Sequence, residues 1–271
     1  MQNIFKSVVV VILTFLTFAA CNPNNPSGGS YADLPADSAG TIIKECIEKS
    51  GGLDAWQKKN TLSLTKLSQS FDSAGNLKRE TVQEQYFQYH PTFKARISWT
   101  YQDTNYICIY DGDHAKRYVN LMNVNTEKDM QSAWNTIFGA EYVLCMPYKL
   151  ADAGAKYEYE GEKELFNKKV YAIKVSYPKD NKEDTYPWTY FFDVQTKELE
   201  GYSNPGNGDQ TDVTHYDAFT TIDGIKLPMQ RTGYVCDKER KPLYKSSFYR
   251  NSNFKFYDAP SDTIFTAPVN K

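Results

Sequence analysis

Histidine is the side chain best suited to moving protons near neutral pH. The chain has three, His90, His114 and His215, spread too far apart in sequence to form a local motif. His114 stands out because Asp111 and Asp113 precede it, a set that could hold a metal or relay a proton. The same residues, with Gly112 among them, are also the ordinary makings of a hairpin turn. Residues 204–212, NPGNGDQTD, are rich in oxygen ligands of the kind calcium prefers, but they lack the spacing of a known calcium loop. Glu158, Glu160, Glu162 and Glu164 alternate as the wet face of a strand does, not as a paired acid and base. There is no G-x-S-x-G elbow, no H-E-x-x-H and no phosphate-cradling glycine loop. No residue is nominated as catalytic or as a metal ligand, no cofactor is implied, and the chain reads as a non-enzyme.

Five cysteines carry the remaining candidate chemistry. Four of them, Cys46, Cys108, Cys145 and Cys236, match no zinc spacing. In an exported compartment they could form one or two disulfides. They could equally be buried thiols acting as small hydrophobes. Cys21 is different, because it closes a run of thirteen apolar or threonine residues, 8–20, that follows Lys6. A spanning helix needs about 20 residues, whereas a leader's apolar core needs roughly 7–15. Phe18-Ala19-Ala20-Cys21 resembles the bacterial lipobox, with Phe18 where Leu is usual. That resemblance implies cleavage before Cys21 and lipidation of it. Residues 1–20 are therefore expected to be a lipoprotein signal peptide, and 21–36 a flexible tether. Two or three acyl chains on Cys21 would anchor the protein to a membrane stably, where one is marginal. The expected place is the outer membrane, facing the periplasm, because the tether carries no acidic residue before Asp33.

Elements must exist to position whatever the exported part does. Aromatic residues make up 15% of the chain, with 21 Tyr and 15 Phe, which suits a pleated, partly solvated sheet. Charges nearly balance, 31 basic against 33 acidic, so there is no basic field to hold nucleic acid. Residues 37–49 place Ile42, Ile43, Cys46 and Ile47 on one helical stripe. Asp37 or Ser38 would cap that helix and Gly51-Gly52 would stop it. A short second helix over 53–59 would bring Trp56 to the same core. From Thr61 onward strands prevail, about ten of them, in an antiparallel meander. Tyr106, Cys108 and Tyr110 alternate with Ile107 and Ile109, for example. One helical segment, 126–151, interrupts the strands: Thr126-x-x-Asp129 is a cap pattern, and Met130, Trp134, Ile137 and Phe138 fall at helical spacing. A helix so placed must cover a face of the sheet. The chain reads as α+β, mostly β, with one domain over 37–271.

Several stretches stand in an order that resembles the LolA/LolB-like group, the half-barrel lipoprotein carriers of the Gram-negative envelope. They are SGGLDAWQKKNTLSL (50–64), WNTIFGAEYVLCMPYKLADAG (134–154), YFFDVQTKELEGY (190–202), DGIKLPMQRTGY (223–234) and DTIFTAP (262–268). The likeness is greatest to members in which a helix ends in GG…W. It implies a single strongly curved antiparallel sheet whose concave face is covered by helices, here 37–59 and 126–151, with an apolar cavity between. Trp56, Trp99, Trp134, Phe138, Tyr142 and Met146 would face that cavity. The implied function is a membrane-anchored envelope lipoprotein that binds an apolar ligand, a lipid or an acyl chain. The true carriers are soluble, so an anchored relative points to a receptor or scaffold and not to a shuttle. In the alternative, these residues fill a solid core and an exposed aromatic sheet face docks an envelope protein or a glycan. Asp37-Ser38-Ala39, Asp72-Ser73-Ala74 and Asp262-Thr263-Ile264 also resemble an O-glycosylation sequon of exported Gram-negative proteins.

Overall fold

The computed structural model of the chain describes residues 29–124, 126–177, 187–206, 209–258 and 262–268. Its first helix, α1 (Ser38–Lys49), begins where the Asp37 carboxylate accepts hydrogen bonds from the backbone N–H of Ala39 at 2.8 Å and Gly40 at 3.2 Å. It buries the predicted stripe of Ile42, Ile43, Cys46 and Ile47, and Ala39 and Gly40 with it. It ends at Ser50, and Gly51 and Gly52 take φ of 115° and 86°. A Cβ on Gly51 would come within 2.2 Å of the Gly224 carbonyl oxygen, so contact as well as conformation demands glycine there. A short helix, α2 (Leu53–Gln57), carries Trp56 into the core.

The third helix, α3 (Glu127–Leu144), starts at Thr126, whose hydroxyl accepts from the Asp129 backbone N–H at 3.1 Å. It is shorter than the segment 126–151 led one to expect. Pro147 disfavours helical backbone in the residue before it, and the chain leaves the helix at Cys145 and resumes as a 3-10 turn over Tyr148–Ala151.

Thirteen strands follow and flank these helices: β1 (Thr61–Phe71), β2 (Leu77–Gln88), β3 (Lys94–Tyr101), β4 (Thr104–Tyr110), β5 (Ala115–Val119), β6 (Met122–Val124), β7 (Lys156–Leu165), β8 (Lys168–Ser176), β9 (Trp188–Asp193), β10 (Leu199–Pro205), β11 (Thr211–Ile222), β12 (Ile225–Cys236) and β13 (Pro242–Tyr257). They form one sheet in the order β6-β5-β4-β3-β2-β1-β13-β12-β11-β10-β9-β8-β7, antiparallel at every step. Two meanders are thus joined by pairing the first strand with the last, Thr61 opposite Tyr257 through Ser70 opposite Ser247. The sheet is not closed; β6 and β7 are its two edges. A sheet of this width must twist and curl.

The curl gives the sheet an inner and an outer face. Ala95 and Ile97 on β3, with Cys108 and Tyr110 on β4, pack with Ile137 and Phe138 of α3 in the main core. Ile107, Ile109 and Tyr118 form a separate cluster on the outer face. The core also receives α1 and the 3-10 turn. There Trp56 stacks on Tyr148 with ring centroids 4.9 Å apart, and the Tyr148 hydroxyl donates to the Ser50 carbonyl. The Lys226 backbone N–H donates to that same carbonyl at 2.8 Å. Three stretches far apart in sequence, SGGLDAW, CMPYKLA and DGIKLP, therefore meet at one knot. Of the expected tether, residues 29–36 are described: Ser30 donates its N–H to the Ala151 carbonyl at 3.0 Å, and Tyr31 packs on the core.

Candidate functional site

Below the helices the inner face changes character. On β1 the alternation Leu62, Leu64, Lys66 keeps one side inward, so a cation follows two core leucines. Lys66 lies opposite Gln83 of β2 and Asn251 of β13. Its Nζ sits 5.0 Å from the centre of the Tyr249 ring, and the Arg231 guanidinium of β12 sits 5.1 Å from that same ring. Arg231 also lies 6.0 Å from the Tyr216 ring on β11. Tyr216 meets Tyr202 of β10 at 5.9 Å, and Tyr202 meets Trp188 of β9 at 5.0 Å. In the other direction Gln83 lies opposite Trp99, which stacks on Tyr106 at 5.2 Å. The result is a belt of rings crossing the inner face from β9 to β4, with two cations near its middle.

The electrostatics of the belt are set by burial. Arg231 is 3% exposed, and its Nε has no hydrogen-bond partner. Desolvation first, and the nearby Arg231 charge second, push the Lys66 ammonium down to about 7. Burial pushes the Tyr202 and Tyr216 hydroxyls up, with the guanidinium pulling the other way. The guanidinium acts on both hydroxyls as a charge and as a hydrogen-bond donor.

The six residues expected at a cavity all belong to, or pack on, the main core. Trp56, Phe138 and Met146 are sealed within it, at 1%, 2% and 1% exposure. Trp99, Trp134 and Tyr142 are half-buried. Trp134 stacks on Phe138 at 4.4 Å. The Tyr142 hydroxyl accepts from Tyr190 at 3.0 Å and pairs with Tyr177 at 3.1 Å. Two surface grooves are present, one of them reaching Trp134. One of about 360 Å³ is on the outer face beside Tyr118 and Phe265, and one of about 420 Å³ lies between His114 and Trp134 at the foot of α3.

The three histidines do separate jobs. His114 is exposed in the β4–β5 turn beside Asp113 at 2.8 Å, while the Asp111 carboxylate accepts from the Asp113 and His114 backbone N–H groups. His90 bonds the Gln57 carbonyl at 2.7 Å. His215 lies 2.9 Å from Asp217 and 3.7 Å from Glu200; hydrogen bonds to those two carboxylates raise it to about 9. Among the described residues no group of three or more His, Cys, Asp or Glu side chains could hold a metal ion. Cys46, Cys108, Cys145 and Cys236 are buried free thiols, each pushed up by desolvation. Ser38, Ser73 and Thr263, the hydroxyl residues of the three sequon-like tripeptides, are exposed. Cys21 and the signal peptide lie outside the described residues, as does part of the 204–212 loop. Sequence reasoning missed Lys66 and Arg231. The signal that could have found Lys66 is its place two residues after Leu64 on the apolar side of β1.

A wide antiparallel sheet, open at both edges and holding its helices on the concave side, has counterparts among solved structures. A LolA superfamily protein from Nitrosomonas europaea superposes with a TM-score of 0.52 at 10% identity, covering 85% of this chain and 98% of that one. The fold is LolA-like. Two further solved structures overlap this half-barrel more loosely. A DUF1329 family protein from Desulfovibrio piger has a TM-score of 0.48 at 12% identity, covering 85% of this chain and 98% of that chain. A domain from Vibrio parahaemolyticus, named for outer membrane lipoprotein sorting, has a TM-score of 0.49 at 7% identity, covering 83% and 94%. No protein-family model and no curated protein matches the sequence.

Proposed function

We propose that this half-barrel is a membrane-anchored envelope lipoprotein, lipidated at Cys21, that binds an apolar ligand, a lipid or an acyl chain, against its concave face. One observation carries the reading: the belt leaves Trp99, Tyr106 and Trp188 half-open to solvent on the inner face, where a fold of this kind has its interior. Rings left partly in water gain about 25 cal/mol for each Å² that a ligand covers. An acyl chain lying along the belt would cover these three rings. It would reach Trp134 and Tyr142 next, and Trp56, Phe138 and Met146 only if the helices parted from the sheet.

In this reading residues 1–20 are removed and the segment that starts at Cys21 links the outer membrane, on its periplasmic side, to a body on which Ser30 and Tyr31 are already docked. Anchorage suits a receptor or scaffold, because a carrier must leave the membrane to deliver its load. The reading assigns no reaction to any residue.

The test is native mass spectrometry of the full-length chain carrying Cys21→Ser, before and after exposure to organic solvent. An adduct of lipid size that solvent removes is the expected result. A bare mass that stays bare after incubation with envelope lipid extract would sink ligand binding.

A further inference from the structure

Several enclosed or crowded cations elsewhere in the chain are given carboxylates, while Arg96 is given the Ile264 carbonyl at 3.2 Å. Lys149, wholly buried, is 2.6 Å from Asp152 and 3.7 Å from Glu141. Lys168 is held by Asp193 at 2.9 Å and Glu200 at 2.6 Å, and Arg117 by Asp129 at 3.2 Å. The belt breaks this pattern. Among the described residues no carboxylate pairs with Lys66 or Arg231, although both approach one ring within about 5 Å and so repel each other. Asn251, opposite Lys66, gives its amide N–H to the Pro228 carbonyl at 2.9 Å.

Two further donors point the same way. The Arg231 Nε–H and the Trp99 Nε1–H are buried on the inner face without a hydrogen-bond partner. Such a group costs stability when it is left unmatched. Buried positive charge costs more. An anion placed beside Lys66 would offset both, since hydrogen bonds to ionised groups are the strong ones.

We propose that Lys66 and Arg231 form the subsite for an anionic headgroup, a carboxylate or phosphate carried by the amphiphile that occupies the concave face. Half-buried Lys66 is the group that touches the anion, and Arg231, set deeper against Tyr249 and Tyr216, supplies the second charge. The proposal rests on the concave-face ligand argued above and adds its polar end. It also fixes the ligand's direction: headgroup at the centre of the sheet, chain running along the rings toward Trp99 or Trp188.

The experiment uses the full-length chain carrying Cys21→Ser and follows tryptophan fluorescence at pH 6.5 with four probes: hexadecanoate, hexadecyl phosphate, hexadecanol and inorganic phosphate. The two anionic amphiphiles should bind at least ten-fold tighter than hexadecanol. Lys66→Gln and Arg231→Gln should erase that preference, so that acid, phosphate and alcohol bind each variant equally. If Arg231→Gln does not fold, the wild-type ratio and Lys66→Gln decide. Equal binding of acid and alcohol would overturn the subsite while leaving the concave-face ligand standing. Binding of none of the three amphiphiles would overturn the concave-face ligand and the subsite with it. Inorganic phosphate acting as strongly as hexadecyl phosphate would overturn the headgroup assignment in favour of a free anion.

Discussion

At Lys66 a charge stands on the apolar side of a strand with Gln83, Asn251, Tyr249 and Arg231 around it and no carboxylate among them. Its folded pKa, about 7, lies below the ordinary lysine value of 10.5. Between those values the unfolded chain holds a proton that the folded chain has released, so this group makes stability rise with pH across that window. Below about 7 the penalty of the buried charge is fully present. Lys66→Met should therefore stabilise the protein most at pH 6 and lose most of that gain by pH 10, read as the difference in urea midpoint from wild type. An equal gain at both pH values would show that the ammonium is not desolvated. The aromatic members of the site were legible from residue type alone, since Trp and Tyr at core-like spacing announce themselves. The cations were not, because a lysine within TLSLTKLSQSF reads as the wet side of a strand until the register with β2 is known.

At the scale of elements, the junction between α3 and the 3-10 turn at Tyr148–Ala151 depends on a buried ion cluster. Lys149 holds Asp152 and Glu141, and desolvation pushes Glu141 up to about 7 against the pull of Lys149. Removing Lys149 leaves two carboxyls in a dry site with no cation, where they must take up protons or stay unpaired, a loss of about 3–5 kcal/mol. Lys149→Met should lower stability by that amount in a denaturant titration; a change below about 1 kcal/mol would mean that water reaches the cluster. The helices were readable because Asp37 and Thr126 are caps with a mechanism. The end of α3 is expected too late because the apolar pattern runs on through Leu150, although Pro147 disfavours helical backbone before it. Two strand boundaries also escaped. Asn120 and Leu121, with φ of 48° and 68°, turn β5 into three-residue β6. The turn between β9 and β10 uses Lys197 at φ 60° in place of the glycine that would have marked it. Thirteen strands therefore stand where about ten were expected.

For the molecule as a whole, the decisive contact is the pairing of β1 with β13, which merges two meanders into one curved sheet. No local signal encodes that pairing, since its partners are separated by nearly the whole described chain; the family resemblance supplied what periodicity could not. The half-barrel shape was expected on that ground and is found, while the closed interior around Trp56, Phe138 and Met146 moves the proposed ligand toward the open belt. Anchorage is tested separately. The wild-type chain, expressed in a Gram-negative host, should fractionate with membranes and carry acyl mass on Cys21, and a chain begun at residue 21 with Cys21→Ser should be found in the soluble fraction. Membrane association of the chain that lacks both leader and Cys21 would contradict a lipid anchor.

The most direct test of the central claim is to map where an acyl chain lies. The full-length Cys21→Ser protein would be photolabelled with a sixteen-carbon fatty acid bearing a diazirine at mid-chain, digested and sequenced by mass spectrometry. The account predicts adducts concentrated on inner-face residues of the belt, chiefly Trp99, Tyr106, Trp188 and Tyr249, and competed away by unlabelled hexadecanoate. Adducts confined to outer-face residues such as Tyr118 and Phe265, or scattered and indifferent to competitor, would contradict it.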